Sequence, residues 1–311
     1  MLSKKQNTSP NTLVPYVVLI LGILFLSISP LFVRWANAPG VVTSFYRMLT
    51  VTLVLGTLTL FRPRSGQATQ RNRKMWLIPV LGGLFSAVDH ALWSTSIENT
   101  VVANATLLNY IAPLWVSLVA IFILHEQYAN FFWLGLIAVL TGAWIATGVR
   151  FGDFSSVSFS GEGFAILSSF FYAGYFILSQ RAQNHTTVLD YLLISSGAAM
   201  SLLLIIIMVS GLSIFGYSKE TYQTFIIAGL FSQLGGYFCI NYALRHLPAP
   251  VVSSLLVLQP VITALLAVQT EGERLNLLQI LGGLLVIGGV VIVKAAKLSK
   301  KESASKNADP V

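Results

Sequence analysis

Apolar residues in this chain gather into runs of about 20, the length needed to cross a hydrocarbon core, and short polar joints separate them along almost the whole sequence. In the first half the runs fall at 13 to 33, 41 to 61, 75 to 97, 101 to 124 and 130 to 149. In the second they fall at 162 to 184, 188 to 211, 220 to 244, 250 to 270 and 275 to 295. The pattern predicts an all-α integral membrane protein of ten transmembrane helices, five per half, with no stretch left for a soluble domain.

The two halves are copies of one unit. The stretch from 100 to 126 returns from 247 to 273 at a constant offset of 147, so that Leu108 maps onto Leu255, Pro113 onto Pro260, Leu118 onto Leu265, Ala120 onto Ala267 and Glu126 onto Glu273. The same ungapped shift carries Arg34 onto Arg181, Gly82 onto Gly229, Gly135 onto Gly282 and Gly142 onto Gly289. A repeat on this scale decides the architecture before any local feature does. The units are placed at 13–150 and 160–296, after an amino-terminal tail of residues 1–12 and before a tail, 297–311, whose Lys, Ser and Asn content predicts disorder. Ala36-Asn37-Ala38 imitates a signal-peptidase site. The apolar run before it is too long for a signal h-region, Pro39 would follow the cut, and the run has a counterpart before Arg181.

Cations orient the helices, because positively charged joints stay in the cytoplasm. With the amino terminus inside, Lys4, Lys5, Arg62, Arg64, Arg71, Arg73, Lys74, Arg181, Arg245, Lys294, Lys297, Lys300, Lys301 and Lys306 face the cytoplasm. Only Arg34, Arg150, Lys219 and Arg274 face out, and Arg47 lies within a run. Both termini are then cytoplasmic. Since five is odd, the second copy enters the membrane upside down, which makes an inverted repeat.

Composition agrees with this class: 55% of residues are apolar and 10% charged, against roughly 25% charged in soluble domains. The net charge of +8 does not point to nucleic acid, because the cations sit at segment ends rather than along one face. The single cysteine, Cys239, excludes an intrachain disulfide and a two-cysteine metal site. Glycine pairs such as Gly82-Gly83 and Gly288-Gly289 lie inside runs and match no phosphate-binding fingerprint, so they read as helix-packing positions. No cofactor and no metal are expected.

Ionisable groups deep in a membrane helix face a cavity or a partner, which singles out Asp89 and His90 in the third run and Arg47 in the second. An ion pair between Asp89 and Arg47 that locks neighbouring helices stands beside a transport role for the same residues. His90 titrates nearest neutrality, and either His90 or Asp89 can carry a proton. Adjacent helical positions differ by about 100°, so one of the two is expected to face a neighbouring helix. Pro113 frees the backbone oxygen of Asn109, whose amide lies in the same turn, and Pro260 frees that of Leu256, with Gln259 beside it. Gln233, Tyr237 and Asn241 recur every four residues as one inward-facing stripe. Trp93, Tyr172 and Tyr175 add aromatic surface suited to a zwitterion or aromatic solute. Glu126 and Glu273, at helix ends, are caps or gate pairs.

The doubled pattern of Ala-Thr-Leu-Leu-Asn-Tyr-Ile-Ala-Pro-Leu to His125-Glu126, and of Ser-Ser-Leu-Leu-Val-Leu-Gln-Pro-Val to Gly272-Glu273, each followed by its two glycines, resembles the drug/metabolite transporter superfamily, EamA type, over roughly 15 to 296. The resemblance implies ten helices, cytoplasmic termini and export of small metabolites such as amino acids or related amphiphiles, with the third, fourth, eighth and ninth helices contributing to the cavity. It makes Pro113, Pro260, Glu126 and Glu273 architectural marks. The expected activity is secondary export by alternating access, with protons as a candidate coupling ion and a bacterial inner membrane as the location. A passive channel is the alternative. A membrane enzyme would need clustered catalytic groups, which one intramembrane Asp and few His do not supply. The partners expected are a small solute and the bilayer, with monomer or homodimer left open.

Overall fold

The computed structural model describes residues 13–61, 74–99, 105, 108–123, 125, 128–147, 159–183, 185–259, 261–262, 265–266 and 277–306. All regular structure among them is helical. The first apolar run forms two helices, α1 (Val14–Ser27) and α2 (Ser29–Ala36). They part at Ile28 because Pro30 has no N–H to give the Leu26 carbonyl. α3 (Gly40–Leu60) and α4 (Lys74–Asn99) follow, then α5 (Ala112–Phe122) and α6 (Asn130–Thr147).

In the second half, α7 (Phe159–Ala182) leads to α8 (Val188–Val209). The start of α8 is fixed by Thr187, whose hydroxyl accepts from the Asp190 amide at 3.1 Å. The eighth run is composite: α9 (Lys219–Ala228), a π-helical stretch (Gly229–Gly236) and α10 (Tyr237–His246) are continuous with one another. α11 (Ala249–Leu256) and α12 (Leu277–Lys306) close the chain. α12 continues past 296, so residues 297–306 are helical where composition predicts disorder. Lys, Ala, Leu and Glu are good helix formers, and extending a helix already nucleated in the membrane is easier than starting one.

Among the described residues, six stretches are long and apolar enough to cross a membrane: Val14–Val33, Gly40–Leu60, Trp76–Ser96, Gly161–Ala182, Val188–Val209 and Lys219–His246. Ala112–Phe122, Asn130–Ile145 and Leu277–Val293 are shorter apolar helices. The fourth and ninth runs break at equivalent points. Tyr110 and Ile111 form a turn in the first copy, and Val257 and Leu258, each 147 residues later, form one in the second. The Ile111 amide bonds to the Leu108 carbonyl at 3.2 Å, as the Leu258 amide does to that of Leu255 at 3.1 Å. These tight bonds span three residues rather than four, which takes up the slack left by a proline that cannot donate. Pro113 is buried at the start of α5, while Pro260, Glu126 and Glu273 lie outside the described residues.

Helix contacts obey the repeat. α1 packs on α10 as α7 packs on α4, and α3, α5 and α6 each pack on their own counterparts α8, α11 and α12. At the last of these contacts backbone meets backbone: a Cβ built on Gly289 falls 2.8 Å from the Gly135 carbonyl oxygen, and one on Gly142 falls 2.8 Å from that of Gly282. Residue numbers rise on one helix as they fall on the other, so α6 and α12, equivalent elements of the two copies, run antiparallel. Small residues permit this approach, which strengthens packing where lipid supplies no hydrophobic drive.

Candidate functional site

The helix breaks converge on a cavity of about 80 Å³, room for several waters. Ser29 and Pro30 border it from the break between α1 and α2, and Tyr110 and Gln259 from the breaks in the fourth and ninth runs. Arg47 (α3), Asp89, His90 and Trp93 (α4), Asn109, Tyr172 (α7) and Tyr237 (α10) complete its polar and aromatic wall. Residues of both copies thus enclose one space.

Asp89 is the most heavily solvated of these groups by protein. Its Oδ1 accepts from the Ser168 hydroxyl at 2.6 Å and from the Asn109 amide at 3.3 Å, while that amide also donates to Ser168 Oγ at 2.7 Å. The cluster ties α4 to α7 and to the turn before α5, and it gives the Asn109 amide the partners an intramembrane amide requires. His90 Nδ1 lies 2.7 Å from the Ser86 carbonyl, which fixes the proton on Nδ1, and 3.6 Å from Asp89 Oδ2. The His90 ring stands 6.4 Å from that of Tyr237, its offset partner in the second copy.

One expectation is corrected. Arg47 makes no ion pair with Asp89: its Nη2 donates to Ser232 Oγ, 3.3 Å away in the π-helical stretch. Position along two helices had allowed the pairing, but the face each residue presents, which depth does not fix, turns Asp89 toward α7. Asp89 and His90 both border the cavity, and of the two it is Asp89 that faces the neighbouring α7, where the Ser168 hydroxyl donates to it.

Gln233, Tyr237 and Asn241 are all buried, with different surroundings. Tyr237 borders both the main cavity and a smaller pocket of about 10 Å³, which Gln233 and Tyr175 line with Ser86, Ser195 and Ser196. Asn241 borders neither. Its amide nitrogen donates to Tyr175 Oη at 2.8 Å and to the Tyr237 carbonyl at 2.7 Å, and its oxygen accepts from Ser179 and from Gln183 Nε2. With every position filled, Asn241 is a fastener between α10 and α7. Asn241→Leu is expected to orphan several buried groups, at about 1–3 kcal/mol each, and to lower the thermal midpoint in detergent without altering solute selectivity.

Sequence reasoning missed Ser168, Ser232, Tyr110 and the break at Ser29 and Pro30. Serine is an ordinary small packing residue in membrane helices, so nothing in the sequence distinguished Ser168 from Ser169 beside it. The latter accepts from Trp115 Nε1 at 2.9 Å and only docks α5 on α7.

A family model described as the EamA-like transporter family matches this chain twice, over residues 13–148 and 159–295. The chain belongs to the EamA-like transporter family. An uncharacterized transporter, YxxF, of Bacillus subtilis is 24% identical over 314 residues, covering 99% of this chain and 96% of that protein. An uncharacterized transporter of Methanothermobacter thermautotrophicus is 25% identical over 237 residues, 74% of this chain and 68% of the relative. A solved structure described as "Crystal structure of protein" superposes with a TM-score of 0.75 at 16% identity, covering 91% of this chain and 98% of its own, and shares the fold. As an EamA-like protein the chain is a membrane transporter for a small solute, not an enzyme.

Proposed function

We propose that this EamA-like protein is a secondary exporter that moves an amino acid or a related amphiphilic or aromatic solute out of the cell by alternating access. One observation carries the reading: one cavity is bounded by both copies, at the breaks of the fourth and ninth runs, which fall at equivalent positions. Broken helices free backbone groups for a solute, and a site between pseudo-symmetric halves can be opened to either side by rocking one against the other. In this reading ten helices form two inverted repeats within 13–150 and 160–296, both termini are cytoplasmic, and the membrane is a bacterial inner membrane. Inward proton movement through Asp89 and His90 drives export.

A thermal-shift panel of amino acids on the purified protein selects a solute, and counterflow in proteoliposomes tests the mechanism. External solute is expected to accelerate loss of internal label, with saturation. Loss that is linear in concentration and indifferent to external solute would instead establish a passive channel.

A further inference from the structure

Within that reading, the residues that border the cavity carry two donors that no described residue satisfies. Arg47 is 3% exposed, and no acidic side chain comes within 4 Å of it among the described residues. One neutral hydroxyl at 3.3 Å, that of Ser232, is its protein partner, and its Nε has none. A guanidinium carries five N–H donors and keeps its charge, so most of its hydrogen-bonding capacity stands empty in a site of low dielectric. Gln259, 8% exposed and on the other copy, also borders the cavity and leaves its Nε2 without an acceptor. Among the described residues the one carboxylate at the cavity is that of Asp89, whose Oδ1 is held by Ser168 and Asn109. The wall therefore presents two unpartnered donors, one from each copy.

We infer that the solute carries a carboxylate, or an anion of the same shape, that docks on Arg47 and Gln259 across the boundary between the two copies. A planar carboxylate accepts from a guanidinium through two parallel bonds, and a second donor from the opposite copy makes its binding depend on both halves closing around it. An uncharged amide of the same size fills the space without neutralising Arg47. An amine adds a second cation beside it.

The inference rests on the transporter reading for its context but separates from it in the test. Purified protein is titrated with phenylacetate, phenylacetamide and 2-phenylethylamine, and with propionate, propionamide and propylamine as a smaller set, at constant ionic strength with sodium chloride as the inorganic-anion arm. Carboxylates are expected to bind at least about tenfold more tightly than their amides, the size of one charge-assisted bond to a buried group. Ser232→Asp puts a carboxylate where a hydroxyl already meets Arg47, so it is expected to remain folded, to raise the thermal midpoint and to erase the carboxylate preference. Gln259→Leu should reduce that preference severalfold, and Arg47→Gln should remove it. Equal binding of carboxylate and amide by the wild type, or an undiminished carboxylate preference in a folded Ser232→Asp protein, overturns the inference. Counterflow with the amide or amine but not the carboxylate overturns it while leaving the transporter reading intact. Carboxylate binding that depends on Arg47, without counterflow, does the reverse.

Discussion

Asp89→Asn is expected to abolish the response of export to an imposed pH gradient while solute exchange at equal pH continues. The amide keeps the size of the carboxylate and an oxygen that can accept from Ser168 and Asn109, the two donors that hold Asp89 in place, so the junction of α4, α7 and the turn before α5 survives. What is lost is a group able to take up and release a proton in the cavity. The other ionisable groups around it are His90, 3.6 Å away, and Arg47, Tyr110, Tyr172 and Tyr237 on the same wall. A difference of one pH unit is worth about 1.4 kcal/mol, enough to sustain about a tenfold concentration ratio for one proton per electroneutral cycle. In the variant this ratio should collapse to unity. Proteoliposomes with an acidic exterior measure it directly, and an undiminished ratio in Asp89→Asn would remove Asp89 as the coupling group and pass the role to His90, tested by His90→Gln.

A methyl group at Gly289 is expected to destabilise the protein markedly. Its Cβ would stand 2.8 Å from the Gly135 carbonyl oxygen and equally close to the backbone nitrogen and a side-chain methyl of Val139. Two of these three are backbone atoms of α6, so relief requires the helices themselves to separate. Overpacking a well-filled contact costs about 1–3 kcal/mol, and here the upper end is expected. Gly288→Ala is the control, because nothing lies within 4 Å of its added carbon. Thermal unfolding in detergent should show a marked loss for Gly289→Ala and none for Gly288→Ala; matching midpoints would mean the close contact of α6 with α12 is not maintained in solution.

How far such features are legible in the sequence depends on what each requires. Span positions follow from runs of apolar residues, and the repeat from an ungapped offset, so α3, α4 and α8 begin and end within two residues of expectation. The helix breaks are announced by Pro113 and Pro260, yet the turns sit two or three residues earlier, at Tyr110-Ile111 and Val257-Leu258, because a proline disturbs the turn before it. The π-helical stretch has no counterpart signal: its equivalent in the first copy lies within the regular α4, and a change of one residue in winding is invisible to hydrophobic spacing. That stretch supplies Ser232 to Arg47, which is one reason the expected partner Asp89 was wrong. Side-chain identity and depth were readable, whereas rotation about the helix axis, which chooses partners, was not.

The crossing of α6 and α12 has a consequence for how the molecule came to be one chain. Gly135 meets Gly289 while Gly142 meets Gly282, and each pair is the other with its copies exchanged. That reciprocity is the signature of an isologous dimer interface, here made between two stretches of the same polypeptide. The covalent joint between the copies thus secures a contact whose two sides are already complementary to each other. Once joined, the two sides were free to differ, and Asn109 opposite Leu256 and His90 opposite Tyr237 record where they did.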